Sequence, residues 1–130
     1  MPIHELSENE LEKPLLRIDS VIDRFARKVG ARIDINRDGC ARRYIWCQEP
    51  DGMTRALDIS PVILHLQKPR TKDNILYSFA LHAWKDKERR YGWHAIEAEL
   101  TDVPVDKKEI TTLLERCWAK LKSVSESDLK

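Results

Sequence analysis

"ARIDINRDGCARRYIWCQEPDGMTRALDIS", residues Ala31 to Ser60, decides the fold. Before it, apolar residues recur at steps of three and four; inside it they alternate, which is the change from helical to strand periodicity. Asp38-Gly39 is a strong signal for a two-residue hairpin turn, because both central positions of that turn need positive φ. Closing the chain there pairs Ile35 with Arg42 and Ile33 with Tyr44. A second turn around Pro50-Asp51 pairs Gln48 with Met53 and Tyr44 with Leu57. The two registers agree with each other. They put Ile33, Ile35, Tyr44, Trp46, Leu57 and Ile59 on one face, and Arg32, Asp34, Arg43 and Asp58 on the other as a solvated charge ladder.

Upstream, "LSENELEKPLLRIDSVIDRFARKVG" reads as an amphipathic helix with Leu11, Leu15, Ile18, Ile22, Phe25 and Val29 on one stripe. Ser7 and Glu10 have capping-box spacing and Gly30 is the stop. Pro14 lacks the N–H that an interior position needs, so either a short first turn bends there or the main helix begins at Pro14. Downstream, "SPVILHLQKPRTKDN" favours a buried strand over residues 61–67, with one short helical turn after Ser60-Pro61 as the alternative. A basic loop, Lys68 to Asn74, leads into two long strands, Ile75–Lys85 and Tyr91–Leu100. The chain closes with "VDKKEITTLLERCWAKLKSV", a second amphipathic helix with an Asp106/Glu109 cap, a Val105–Ile110 staple and a stripe through Leu113, Leu114, Cys117 and Leu121. Residues 124–130 are expected to fray.

The order is α-β-β-β-β-β-α, with a sixth strand or a short helical turn at 61–67. That predicts an α+β, two-layer domain over residues 1–130, with a mostly antiparallel sheet of about five strands and both helices on one face. At 130 residues, 42% hydrophobic and 35% charged, the chain has the apolar mass for one such core. Its 23 Lys and Arg nearly balance 22 Asp and Glu, so no global field draws in nucleic acid or an anionic membrane. No apolar run is long enough to span a bilayer, and the start "MPIHELSENELEK" lacks the parts of a signal peptide, so a cytoplasmic protein is expected. Three cysteines, Cys40, Cys47 and Cys117, form no CxxC pair, which argues against a disulfide framework and against zinc. No cofactor motif is present.

The stretch nearest to naming an activity is "FALHAWKDKERRYGWHAIEAE", Phe79 to Glu99. With a four-residue loop, Lys87 to Arg90, Phe79 opposes Ala98, Leu81 opposes Ile96 and Tyr77 opposes Leu100, which gives a coherent core face. The outer face then carries Trp84 opposite Trp93 and His82 opposite Ala95, floored by Ser78 and Ala80 and edged by Glu97 and Glu99. An aromatic cross-strand pair is worth up to ~1 kcal/mol, so the tryptophans could serve only to hold the strands together. The functional reading is a partner-binding patch of Trp84, Trp93, His82, Glu97 and Glu99, since aromatics dominate interface hot spots. A third reading has the second helix crossing to this face and making the patch core.

The leading expectation is therefore a small non-catalytic protein-binding protein, of an inhibitor, immunity-like, chaperone or adaptor kind. One alternative is nucleic-acid binding through Lys85, Lys87, Arg89 and Arg90 with a neighbouring tryptophan stacking on bases. The other is an acid–base hydrolase or nuclease using His82 with Glu97 or Glu99. Glu97 and Glu99 would be desolvated in a face-to-face dimer, so a monomer or weak dimer is expected.

Overall fold

The computed structural model describes residues 5–36, 41–50, 52–85, 94–101, 107–125 and 127; for 85, 94–101 and 107 the description is of the backbone alone. It is an α+β fold in two layers. Helix α1 (Glu8–Val29) is followed by strands β1 (Arg32–Asn36), β2 (Arg42–Gln48), β3 (Met53–Ile63), β4 (Ile75–Lys85) and β5 (His94–Thr101), then helix α2 (Lys107–Lys122). The strands pair antiparallel in the order β1-β2-β3-β4-β5. Among the described residues no helix is long and apolar enough to cross a membrane.

The ends of α1 follow its sequence. Ser7 and Glu10 close a reciprocal capping box, with Ser7 N–H donating to Glu10 Oε1 at 3.1 Å and Glu10 N–H to Ser7 Oγ at 3.2 Å. Gly30 takes the left-handed conformation at φ 72°. Its N–H donates to the Arg27 carbonyl and the Ala31 N–H to the Ala26 carbonyl, the paired bonds of a Schellman stop. Between these ends the helix runs through Pro14 without a break. In the turn around it, the Tyr77 hydroxyl from β4 donates to the Leu11 carbonyl. That bond gives this backbone oxygen a buried donor close to where the proline removes one. Burial raises the Tyr77 phenol to about 12.

Both helices pack on one face, α1 over β1 and β2 and α2 over β3 and β4, and they also pack on each other. Phe25 and Trp118 meet edge to face between them, with ring centroids 5.9 Å apart. The core is the stripe Leu11, Leu15, Ile18 and Ile22 of α1 with Ile110, Leu114, Cys117 and Leu121 of α2, closed from below by Ile45, Leu57, Ile59, Phe79 and Leu81. Cys117 is thus buried packing. The reading that sent α2 to the opposite face does not hold.

Three registers differ from the sequence expectation, each by one residue. In the second hairpin Gln48 pairs with Thr54 and Tyr44 with Asp58, not with Met53 and Leu57. The cause is Gly52: at φ 88° it supplies the left-handed third residue of a three-residue turn, with Gly52 N–H donating to the Glu49 carbonyl and Glu49 N–H to the Met53 carbonyl. In the first hairpin Ile33 pairs with Ile45 and Ile35 with Arg43. The Asp38-Gly39 turn itself, with Cys40, lies outside the described residues. Two one-residue shifts leave β1 and β3 on the expected faces but turn β2 over. Ile45 and Arg43 therefore face the helices, while Tyr44 and Trp46 face away.

The third difference is in the last hairpin. His82 pairs with Ala95 as expected, but a β-bulge follows, and Leu81 then pairs with Glu97, Phe79 with Glu99 and Tyr77 with Thr101. The extra residue is Ile96, one strand residue with no counterpart on β4. The segment 61–67 is no separate strand: β3 continues through Pro61 to Ile63, and a single 3-10 turn, Lys72–Asn74, precedes β4. The Val105 staple, the Asp106 cap and residues 126 and 128–130 lie outside the described residues.

Two arginines sit on the helix-facing side of the sheet, and each is matched by a different kind of partner. Arg43 is fully buried. Its Nε and Nη2 donate to Asp19 Oδ1 and Oδ2 at 2.8 and 3.0 Å, and Nη2 also reaches Glu12 Oε2 at 2.8 Å, both acceptors coming from α1. Burial pulls the guanidinium pKa down, but the hydrogen bonds and charges of Asp19 and Glu12 outweigh it and leave the value raised. Arg55 donates mainly to the Leu121 and Val124 carbonyls at the end of α2, where the helix dipole favours a cation, and its Nη1 lies 3.8 Å from Glu49 Oε1.

Candidate functional site

Turning β2 over builds a site on the outer face of the sheet. Three rows cross it: Asp34–Tyr44–Asp58–Ala80–Ala98, Arg32–Trp46–Ala56–His82–Ala95, and Gln48–Thr54–Trp84. Toward β3 and β4 this face is enclosed, with Thr54, Ala56, Asp58, Ser60, Ser78 and Trp84 all buried. Toward β1 and β2 it is accessible. Between the two lies a concavity of about 560 Å³ walled by Tyr44, Trp46 and Trp84 and edged by Asp34, Asn36, Arg42, Gln48 and Thr54.

The aromatic walls are held in place from their polar ends. The Trp46 indole N–H donates to Asp34 Oδ2 at 2.8 Å, and the Arg32 guanidinium stacks over the Trp46 ring, 5.5 Å from its centroid. Arg42 lies over Tyr44 at 5.9 Å and reaches across to Asp58, Nε to Oδ1 3.3 Å. That contact is an ion pair without hydrogen-bond alignment.

Charge in this region is tuned by enclosure. Burial holds the Asp58 carboxyl above the ordinary carboxylate range, and Arg42 returns only part of the lost stabilisation. The His82 imidazole moves the other way: burial, and then repulsion from Arg42, push it below its ordinary value, so it is neutral at pH 7. The result is a recognition surface with flat aromatic walls, a fixed guanidinium and little mobile charge at its closed end.

Of the residues singled out from sequence, Trp84 lines this concavity and His82 lies in the neighbouring row. Glu97 and Glu99 do not register with Ala80 and Ser78 but with Leu81 and Phe79, across from core residues. Lys85 ends β4, and Trp93, Lys87, Arg89 and Arg90 lie outside the described residues. Sequence reasoning missed Tyr44, Trp46, Arg42 and Asp34 as a group. The signal was Gly52, since a three-residue turn ending there moves β2 by one and brings them together.

Cys47 is no candidate nucleophile, because burial and its contact with Glu49 raise the thiol pKa. Among the described residues no group of three or more His, Cys, Asp or Glu is placed to hold a metal ion. In comparisons with known proteins, the chain matches no family model, no curated protein and no solved structure.

Proposed function

We propose that this is a non-catalytic binding protein, and that a loop or extended segment of another protein docks in the outer-face concavity, burying an apolar side chain against Tyr44, Trp46 and Trp84. One observation carries the reading: both helices lie on the opposite face, yet the outer face presents three large aromatics around a preformed hollow of about 560 Å³. Aromatic residues and arginine are the side chains that carry most energy at interfaces, and a rim of Arg32, Asp34 and Arg42 supplies charges of both signs for orientation. The nucleic-acid alternative has less support, because the described rim sets Asp34 beside Arg42 and so offers no uniformly positive groove for a phosphate backbone.

The test uses a photo-crosslinking amino acid placed at Gln48, on the rim, and at Arg24, on the exposed side of α1, in the native host. A discrete protein adduct from position 48 and none from 24 is expected. Tyr44→Ala and Trp46→Ala, at partly exposed positions, should abolish that adduct while the protein stays folded. Adducts that survive both substitutions would remove the concavity from consideration. Trp84→Ala is the poorer choice, since it removes an enclosed side chain.

A further inference from the structure

A second hollow, at the other side of the molecule, has the build of a small-ligand site. It measures about 300 Å³ and is lined by Leu6, Pro14, Ile75 and Tyr77 below and by Glu10, Lys13, Arg17 and Lys72 around the mouth. We propose that it binds a small amphiphilic anion: a flat apolar body carrying a phosphate or carboxylate head. The site shares no residue with the outer-face concavity, so neither proposal depends on the other.

Three features carry this. The first is charge: among the described residues Lys13, Arg17 and Lys72 make no ion pair or side-chain hydrogen bond, so three cations from two separate elements converge on one mouth. Against them stands the single carboxylate of Glu10, which already accepts the Ser7 N–H in the capping box. The second is the floor, with Ile75 and Tyr77 buried and the Pro14 ring beside them. Cations around an apolar floor are complementary to a molecule with an anionic head and an apolar body, and to neither half alone.

The third feature is the rigidity of the floor and of the segments that carry Leu6 and Lys72, which bonds outside the hollow hold in place. Leu6 is clamped by its N–H donating to the Arg70 carbonyl at 2.8 Å and its carbonyl accepting from Arg70 Nε at 2.9 Å. Tyr77 is fixed by its hydroxyl on the Leu11 carbonyl. Lys72 opens the 3-10 turn that ends at buried Asn74, whose amide bonds His65, Lys68 and Pro69. A ligand entering such a site has little backbone ordering to offset, and the cost falls on the exposed side chains of Lys13, Arg17 and Lys72. Pro14 fits the same picture: a proline inside a helix costs ~3 kcal/mol, and here its ring forms part of the floor.

The experiment is titration of the full chain with naphthyl phosphate, naphthoate, naphthol and inorganic phosphate, followed by calorimetry and by backbone amide shifts. Saturable binding of one or both aromatic anions is expected, with shifts at Leu6, Lys72 and Tyr77. Naphthol and inorganic phosphate should bind at least about tenfold more weakly, since each lacks half of the recognition. Tighter binding of the phosphate assigns the site to phosphomonoesters, and equal or tighter binding of the carboxylate assigns it to carboxylic acids. Lys13→Gln with Arg17→Gln should weaken binding about tenfold at an unchanged melting temperature. Arg24→Gln with Arg27→Gln, which removes the same charge from α1 outside the hollow, should leave it unchanged. No saturable binding of either anion, naphthol binding as well as they do, or equal loss in both double variants would overturn the proposal.

Discussion

Arg43 and Asp19 meet fork to fork, Nε to Oδ1 at 2.8 Å and Nη2 to Oδ2 at 3.0 Å, joining the second strand of the sheet to the middle of α1. With Glu12 on the same guanidinium, a fully buried cation is flanked by two carboxylates two turns apart on one helix face. The geometry fixes where α1 sits along β2. Removing the cation alone leaves the buried Glu12 carboxylate and the part-exposed Asp19 carboxylate without their counter-charge, so Arg43→Met should cost about 3–5 kcal/mol. The triple variant Arg43→Met, Glu12→Leu, Asp19→Leu should regain most of that loss, because matched apolar groups need no desolvation offset. Urea unfolding at neutral pH measures both.

Asp58 should give a pH signature of the opposite kind from a salt-bridged carboxylate. Its folded pKa is raised above the ordinary 3.8, so its contribution to stability is full below that value and is lost as pH rises through the folded pKa. Asp58→Asn should therefore gain stability relative to the wild type as pH climbs past 3.8, until the folded carboxyl has ionised. A stability difference that shrinks with rising pH would mean the Arg42 ion pair outweighs burial.

His82 predicts a pH dependence of the opposite sign. Its folded pKa is below the ordinary 6.5, so its contribution is full above that value and is lost as pH falls through the folded pKa. Wild-type protein should lose stability relative to His82→Gln as pH drops from 7 toward 5. Paired denaturation curves at three pH values suffice. Proton NMR of the imidazole gives the folded pKa directly.

Asn74 braces the exposed segment after β3. Its Oδ1 accepts the His65 N–H, and its Nδ2 donates to the His65, Pro69 and Lys68 carbonyls at 3.0, 3.0 and 3.4 Å. Asn74→Ala should cost about 1–3 kcal/mol, since it removes the hydrogen bonds that hold the His65, Lys68 and Pro69 carbonyls together. Hydrogen exchange should quicken at residues 64–71 with little change in α2. Exposure of Leu66, already 87%, shows that the segment gains nothing from apolar burial at its tip, so this polar brace is what orders it.

What the sequence makes legible here depends on counting. Helix α1, with Ser7, Glu10 and Gly30, is readable because caps and apolar stripe are local and agree. The α+β class and the antiparallel sheet follow from the switch of period at Ala31. The outer-face site is not readable in the same way. A period of two converts a one-residue error in a turn into a reversal of faces, and the choice between a four-residue and a three-residue closure at Gly52 rests on a single backbone angle. Arg43 could have corrected the count: Glu12 and Asp19 lie seven apart beside the apolar stripe of α1, two carboxylates at positions that need a buried cation opposite. The bulge between Leu81 and His82 has no comparable signal, since neither glycine nor proline marks it.

A sheet whose spatial order is its chain order has a consequence for how the molecule assembles. Each strand of β1-β2-β3-β4-β5 finds its neighbour by closing one hairpin, and short closures are entropically cheap and fast. The contact between helices is of another kind, because Phe25 and Trp118 come from opposite ends of the chain and cannot meet until the sheet has brought those ends together. The sheet should then form the folding nucleus and the helix–helix seam should close after the barrier. In rate terms, Phe25→Leu should speed unfolding and leave the folding rate nearly untouched, whereas Leu57→Ala or Leu81→Ala, at the paired centre of β3 and β4, should slow folding itself.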